Sequence, residues 1–404
     1  MICYLFRKLL IRISLLKERL DQLIWRKGAL VRMGALVRGG SNCLFYGLVA
    51  LASIAGTIEG SASSISKLPG YRDDTHETLR AAKRIISLRG EQGFRRWKTT
   101  ASDGVSGMTL DARRATFTVA NSRNPHPTAD EDCDKGSLPV NRYPLFIDGQ
   151  DRITIVGGLF LSQVPQSSEW RVSYCNSSAI TFLSAPNGTV DGVRITGAWD
   201  AIRASRESPG LLVVNSWISN ARDDTIENDF LQSLTVRDTL IDGAFQGISV
   251  KPRKDSDMGD ASNQTVTLSG ILLRLQEYAY KDGRRFGALA KSDQRAPRFH
   301  VTNSVVAIDY AGGQSYPQFW ATSWAKLTGS SNNLFLWLSD APIPDSVPLP
   351  PPSFRVLKGQ AARDAWSRAK SNWINCHPKL ARLPSDQRSN PGACVPNSWG
   401  GFTN

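Results

Sequence analysis

Residues 188–205 read GTVDGVRITGAWDAIRAS, and two later stretches repeat this pattern of short β-branched segments. LLVVNSWISNARDDTIEN (211–228) and SLTVRDTLIDGAFQGISV (233–250) align with it in steps of 23 residues. The aligned columns are Val190, Val213 and Val236, then Gly192, Asn215 and Asp238, then Ile195, Ile218 and Ile241, and, after a one-residue shift, Ile202, Ile226 and Ile248. A fixed period is typical of architectures in which stacked copies share one continuous core.

The repeat predicts an all-β fold, a right-handed parallel β-helix solenoid. Each copy holds short strand-like segments broken by Asn, Gly, Asp or Ser, without the helical half of a leucine-rich repeat. The column of Gly192, Asn215 and Asp238 fits a tight turn with left-handed backbone conformation. Further copies are found at 152–160, 265–273, 298–306 and, in degenerate form, 329–338, and insertions such as 251–264 and 277–297 are predicted to be loops.

Solenoids need capped ends, and the sequence offers a candidate at each end. Residues 73–90 predict an N-terminal capping helix, and 359–373 predict a helix after the Pro-rich stretch 341–353. The predicted organisation is an N-terminal extension with a signal peptide or anchor (1–63), an N-terminal cap (64–100), the parallel β-helix (101–340), and a Pro-rich connector with a C-terminal cap (341–404).

The N-terminal region has the pattern of an export signal. The apolar run CLFYGLVALASIAGTI (43–58) follows basic residues and precedes the small-residue stretch EGSAS (59–63). We therefore expect a secreted or periplasmic protein that starts physiologically at Met33, with cleavage near Ala62. The alternative is an uncleaved signal anchor, which would be the protein's one association with a membrane.

Cysteine usage and charge agree with export. Cys133, Cys175, Cys376 and Cys394 follow the signal region, and an even number in an oxidising compartment predicts two disulfides, with Cys133–Cys175 and Cys376–Cys394 expected among three connectivities. Much of the net charge of +13 lies at the N-terminus, and the mild surplus elsewhere suits an acidic polysaccharide. No basic run with interleaved aromatic residues follows residue 62, so no nucleic-acid partner is expected. The repeat predicts no particular oligomeric state.

Acidic residues gather beside the third column. Asp200, Asp223 and Gln246 follow one another at 23-residue steps, and Asp224 comes directly after Asp223. Because strands of stacked coils lie about 4.8 Å apart, these side chains are predicted to be neighbours on one face. The fragments AWDAI, ARDDTI and FQGIS stand where polygalacturonase-type glycoside hydrolases carry N-T-D, G-D-D and G-H-G-I-S. The chain thus resembles this group within the pectin-lyase-like β-helix superfamily.

The resemblance implies a catalytic site for inverting glycoside hydrolysis. It implies that Asp223 is the general acid and that Asp200 and Asp224 are the carboxylates that activate water. Crowded carboxyls suit these roles, because mutual repulsion raises the pKa of one of them and keeps it protonated near neutrality.

The chain departs from the family pattern at several motif positions. Trp199 replaces the Thr of N-T-D, Arg222 replaces the Gly before the Asp pair, and Gln246 replaces the His. The family's downstream R-I-K has only a poor substitute, ALAKS (288–292), which contains Lys291.

A second chemistry could use the same neighbourhood. Uronate-cleaving β-helix lyases hold Ca²⁺ on clustered carboxylates, and Asp223, Asp224, Glu227 and Asp229 are oxygen donors suited to that ion. Hydrolysis, by contrast, needs no cofactor. The residues expected to bind substrate are Gln246, the basic Lys251 and Arg253, and the sugar-stacking candidates Trp199 and Trp217.

The sequence therefore predicts an exported carbohydrate-active protein whose partner is a polysaccharide, and leaves its activity open. The leading hypothesis is a glycosidase acting on an acidic polysaccharide. The alternatives are a Ca²⁺-dependent polysaccharide lyase and a non-catalytic β-helix that binds glycans or stabilises a surface structure.

Overall fold

The 23-residue spacing of the sequence brings consecutive copies into vertical register. The computed structural model describes residues 84–93, 97–99, 106–119, 144–174, 178–252 and 258–386, all within one compact unit, Gly70–Asn404. The predicted columns are confirmed, since each occupies matching positions of neighbouring parallel strands: Val190, Val213 and Val236; Ile195, Ile218 and Ile241; Ile202, Ile226 and Ile248.

Two columns of parallel strands belong to one sheet of seventeen strands. Its strands are β1 (Arg84–Glu91), β3 (Met108–Val119), β5 (Thr154–Val156), β6 (Leu159–Ser162), β8 (Thr189–Asp191), β9 (Arg194–Thr196), β11 (Leu211–Val214), β12 (Trp217–Ser219), β14 (Leu234–Arg237), β15 (Leu240–Ala244), β17 (Thr265–Ser269), β18 (Leu272–Gln276), β22 (Arg298–Thr302), β23 (Val305–Asp309), β24 (Leu327–Ser331), β25 (Asn333–Trp337) and β26 (Phe354–Lys358). A typical coil, β8–β9–β10, contributes its first two strands to this sheet and its third strand to another.

The third column is a parallel sheet of seven strands. They are β2 (Trp97–Lys98), β4 (Leu145–Asp148), β7 (Ser178–Leu183), β10 (Asp200–Ala204), β13 (Asp224–Glu227), β16 (Gln246–Val250) and β21 (Ala290–Ser292). An antiparallel hairpin, β19 (Tyr278–Tyr280) and β20 (Gly283–Arg285), is inserted between the second and third columns. The helices of the described residues are α1 (Trp170–Ser173), α2 (Pro317–Ala325) and α3 (Gly359–Cys376), followed by 3₁₀ turns at Pro378–Leu380 and Pro384–Asp386.

The turn between the first and second columns has the predicted left-handed conformation in coil after coil. Its residue has φ between 43° and 68° in seven successive copies: Gly157, Gly192, Asn215, Asp238, Gly270, Asn303 and Asn332. Gly and Asn adopt this conformation at the least steric cost, which explains why the sequence keeps them there. The parallel sheets are thereby curled into a nearly closed solenoid, as expected for a parallel β-helix.

The core is a continuous apolar column inside the coils. Stacked isoleucines from successive coils, such as Ile195 and Ile218, are fully buried, and Ile202 and Ile226 from the third column belong to the same apolar cluster. No single coil could bury these side chains alone, so the core exists only because the coils stack.

The predicted N-terminal capping helix is wrong over residues 84–90. This segment is β1, which pairs in parallel with β3 of the next coil. Ile86 and Leu88 alternate with more exposed residues and pack against the core, a pattern of period two that favours a strand. Residues 73–83 lie outside the described part of the chain.

The C-terminal segment covers the outer face of the second column. Residues 341–353 lack regular structure, and α3 then follows where the sequence predicts a helix. Trp373 of α3 packs against Trp217, with ring centroids 6.2 Å apart, and donates its indole N–H to Asp238 over 2.8 Å. A buried ion pair joins Arg194 to Asp386, with Nη2 2.8 Å from Oδ1, and ties the end of the described chain to β9.

Several predictions fall on residues that the structure does not describe. These are the export signal and anchor (43–63), the Met33 start, and three of the four cysteines, so both disulfides stay predictions. Within the described residues, no helix is long and apolar enough to cross a membrane.

Candidate active site

The acidic residues lie where the strands of the third column begin. Asp224 pairs with Gln246 of the next coil, and because Ile226 pairs with Ile202, Asp224 also stands in line with Asp200. The predicted alignment of positions 200, 223 and 246 is therefore shifted by one residue. The turn before β13 holds one extra residue, Asp223, whose backbone N–H donates to the Trp199 carbonyl over 2.9 Å.

The structure brings the three predicted catalytic carboxyls together. One oxygen from each of Asp200, Asp223 and Asp224 lies within 4.8 Å of the others. Asp200 and Asp224 are 1% and 2% exposed, and Asp223 is the most accessible at 8%. The backbone N–H of Asp224 donates to Asp200 Oδ1 over 3.2 Å, which ties the two coils together inside the cluster.

A row of polar side chains from successive coils runs beside the carboxyls on the outer face of the seven-stranded sheet. Arg203, Glu227, Ser249 and Lys291 occupy paired positions of β10, β13, β16 and β21. Arg203 Nη2 lies 2.8 Å from Asp200 Oδ2 and also forms an ion pair with Glu227. Two cations are thus embedded among the acids.

Lys291 is the functional candidate that the sequence discounted. Its Nζ lies 2.7 Å from Asp224 Oδ2, although the two residues are 67 positions apart in the chain. The sequence feature that could have identified Lys291 is its match to the Lys of the family's downstream R-I-K motif. The long insertion before β21 hid it, because the spacing to the preceding coil is far from 23 residues.

Burial gives the acidic cluster an unusual affinity for protons. It raises the pKa of Asp223 to about 7, with the neighbouring Asp224 charge adding to the effect. Burial likewise raises the pKa of Glu227 to about 7 and those of Asp200, Asp224 and Asp229 to about 6, where nearby cations offset part of the effect. Protons are therefore shared within the cluster near neutral pH.

Lys291 stays a cation across this range. Burial disfavours its charged form, but the opposite charges of Asp224, Asp223 and Asp229 outweigh burial and raise the pKa of Lys291 well above its ordinary value. The ammonium group can therefore hold a neighbouring carboxylate in its ionised form, but it cannot accept a proton at neutral pH.

Aromatic side chains stand over the acidic turns. Trp199 packs against Trp170 with ring centroids 5.6 Å apart, and Trp170 lies 5.7 Å from Tyr280. The guanidinium of Arg222 lies 5.9 Å from the Trp199 ring and 4.9 Å from that of Tyr278. Of the two predicted tryptophan platforms, Trp199 is thus near the acids, where it is buried among other rings.

The other predicted substrate-binding residues do not join the cluster as open groups. Gln246 uses both amide atoms on the Ala288 backbone, over 2.6 and 3.2 Å. Trp217 does point outward, but the helix α3 covers it and only 3% is exposed. Lys251 Nζ lies 5.1 Å from the Phe319 ring, and Arg253 lies outside the described residues.

The predicted Ca²⁺ ligands are only partly brought together. Asp223 and Asp224 cluster with Asp200, whereas Glu227 pairs with Arg203 and Asp229 accepts a bond from Ser249 Oγ over 2.7 Å. One observation favours a bound cation, since Asp224 Oδ1 is buried and has no hydrogen-bond partner among the described residues. The cationic groups of Lys291 and Arg203 lie against the same carboxylates and oppose a divalent cation there.

Comparisons with known proteins add no family assignment. No protein-family model, no curated protein and no solved structure matches the chain. The geometry and chemistry of the acidic cluster are therefore the only guide to function in the described part of the chain.

Proposed function

We propose that this protein is an exported glycosidase that hydrolyses a polysaccharide with the carboxyls of Asp200, Asp223 and Asp224. The observation that carries the proposal is their convergence within 4.8 Å from two coils, with the pKa of Asp223 raised to about 7. Glycoside hydrolysis needs one carboxylic acid that is protonated near neutrality and a second carboxyl that is ionised.

The neighbours of each carboxyl suggest the division of labour. Asp223 is the most exposed of the three and has the highest pKa among them, which suits the group that protonates the leaving oxygen. Asp224 beside Lys291 and Asp200 beside Arg203 are the ones favoured to be carboxylates. Activity should then fall as the pH rises through about 7, because Asp223 loses its proton.

The spacing of the carboxyls bears on the stereochemistry. Inverting enzymes usually hold their two carboxyls about 6.5–9.5 Å apart and retaining enzymes about 5–5.5 Å. One oxygen of each carboxyl lies within 4.8 Å of the other two, which is below the inverting range and gives no support to the inverting outcome that the family resemblance implies. The anomeric form of the first product, read by NMR, would decide between the two outcomes.

The sequence supports the proposed substrate and location. The basic, apolar and small-residue zones around 43–63 support export to the periplasm or the medium. The mild positive surplus of the chain beyond them supports an acidic polysaccharide as partner.

The first prediction concerns Asp223→Asn. We expect it to lower reducing-sugar release by at least about 100-fold, because general acid catalysis is typically worth that much or more. The measurement is reducing-sugar release from a panel of acidic and neutral polysaccharides. Asp340→Asn is the matched control, since the Asp340 side chain is 79% exposed and pairs with Arg363 in the C-terminal region, outside the acidic cluster. Equal release by the wild type and Asp223→Asn would refute the proposed acid.

A Ca²⁺-dependent lyase is the second candidate, favoured by the buried Asp224 Oδ1, which has no hydrogen-bond partner within the described part of the chain. A lyase also needs a residue that accepts a proton from the sugar, and Lys291 does not suit that role because its carboxylate neighbours hold it as a cation. A lyase would release products that absorb as unsaturated uronates and would lose activity with a chelator. Saturated products, formed with or without chelator, support the hydrolase. Binding of a polysaccharide without any cleavage would instead support the non-catalytic alternative.

A further inference from the structure

Two insertions flank the acidic turns along the solenoid. The coils of β10, β13 and β16 pass from the second column to the third through short turns, residues 197–199, 220–223 and 245. Coils on either side use much longer segments for the same step, which we call the front insertion (163–177) and the rear insertion (277–289). Residues 175–177 of the front insertion lie outside the described part of the chain.

The two insertions meet above the short turns. Trp170 of the front insertion and Tyr280 of the rear insertion have ring centroids 5.7 Å apart. Beneath them Arg222 bridges the insertions, since its Nη2 donates to the carbonyl oxygens of both Ser168 and Ala279. The insertions therefore form an arch over the coils that carry the acids, and this arch explains why Asp223 and its neighbours are so buried.

The cluster is more open toward the outer face of the seven-stranded sheet. The side chains of Arg203, Glu227 and Lys291 are 24%, 18% and 28% exposed, well above the values for Asp200 and Asp224. A ligand that reaches the carboxyls would come from this face and would meet the arch at its far side.

The sheet face also ends abruptly on the C-terminal side of the cluster. After β21 the next coil has α2 in place of a third strand, and Ser323 Oγ of α2 donates to the Ala290 carbonyl over 3.1 Å. A helix with its side chains is about 10–12 Å across, and α2 buries Phe319 and Trp320 in the core while Gln318 and Ala321 stay exposed on its outer side. A polymer lying along the solenoid would meet the outer side of α2, and no further strand of this sheet, directly after Lys291.

We infer that the site accepts the end of a glycan chain and not its interior, so that the enzyme removes terminal units in an exo-acting mode. This inference rests on the proposed glycosidase function. A chain that continued along the solenoid would meet α2 after Lys291, and one that continued toward the starts of the strands would meet the arch of the front and rear insertions. A chain end needs only the one open side.

The chemical step balances with water as the only co-reactant. The glycosidic C–O bond of the terminal unit breaks, and Asp223 gives its proton to the oxygen that stays with the shortened chain. Water supplies a hydroxyl group to the anomeric carbon, and its remaining proton passes to the carboxylate of Asp200 or Asp224. The products are one terminal sugar and a chain that is shorter by that unit.

The test follows product size and viscosity together on polygalacturonate and on xylan. The expected result is one small product of fixed size from the earliest time points, while the viscosity of the polymer stays near its starting value. A graded series of oligomers with a rapid fall in viscosity would overturn the exo mode and leave the hydrolase intact. Failure to cleave either polymer or its oligosaccharides would count against the hydrolase and this inference together.

Opening the arch provides a second test. In the double variant Trp170→Ala/Tyr280→Ala, and in Tyr280→Ala alone if the double variant fails to fold, we expect longer products to appear. Trp97→Ala is the control, because Trp97 is a half-buried aromatic residue in β2, at the first coil. Products of unchanged size from an arch variant that retains the native fold would overturn the role of the arch.

Discussion

At the scale of the residue, proton affinity distinguishes the acidic cluster from ordinary turn aspartates. Turns recruit Asp for conformational reasons, and the sequence alone cannot separate such an Asp from a catalytic one. Burial distinguishes Asp223 from an ordinary turn residue, since it raises the pKa of this carboxyl from 3.8 to about 7. The convergence of Asp200 with Asp223 and Asp224 was predictable from the repeat. The burial of this cluster was not predictable, because Trp170 and Tyr280, which cover it, lie in insertions outside the repeat.

This proton affinity makes stability depend on pH. Between about pH 4 and about pH 7 the native chain holds protons on Asp223 and its neighbours that the unfolded chain has released, so stability falls as the pH rises. Asp223→Asn removes one such group, so the plot of the free energy of unfolding against pH should have a shallower slope. One pKa unit corresponds to about 1.4 kcal/mol. Near pH 8 the free energy of unfolding of Asp223→Asn should therefore exceed that of the wild type by a few kcal/mol.

Urea unfolding at about pH 5 and about pH 8 measures this effect. The groups that face Asp223 are the carboxyls Asp200, Asp224 and Glu227, the cations Lys291 and Arg222, and Tyr280, and all remain in the variant. Asp340→Asn should keep the wild-type slope. A slope in Asp223→Asn that equals the wild-type slope would show that this carboxyl titrates normally.

At the scale of the element, the strands and turns were predictable because each copy encodes them locally. The β-branched segments set the strands, and the Asn, Asp or Gly column sets the left-handed turn. The prediction failed where tertiary pairing outweighs local signals. Residues 84–90 pair with β3 instead of forming a helix, and Trp217 lies under α3 instead of offering an open face.

The left-handed turn gives a prediction at this scale. Asn215 has φ of 49° and donates from Nδ2 to Asp191 Oδ1 over 3.0 Å. Asn215→Val should lower the free energy of unfolding by roughly 1–2 kcal/mol, because a β-branched residue is strained in this conformation. Asn215→Gly loses the same hydrogen bond but tolerates the turn, so it should be clearly the more stable of the two. Equal urea midpoints for the two variants would contradict the role of the turn.

At the scale of the whole molecule, the site is a product of stacking and of covering segments. The vertical register brings together residues from four coils, and the repeat made most of it predictable. The pairing of Arg194 with Asp386, 192 positions away, and the meeting of the front and rear insertions were not predictable. Those contacts join segments that share no periodicity, so no sequence pattern predicts them.

Stacked coils place Asp224 and Lys291 in direct contact, although 67 positions separate them in the sequence, and the proposed site depends on that contact. A double-mutant cycle on the free energy of unfolding, with Asp224→Asn, Lys291→Met and the double variant, tests it most directly. We predict a coupling energy of about 1–3 kcal/mol, as expected for a buried pair in contact. Effects that add to within about 0.5 kcal/mol would show that the two residues are not neighbours and would contradict the account.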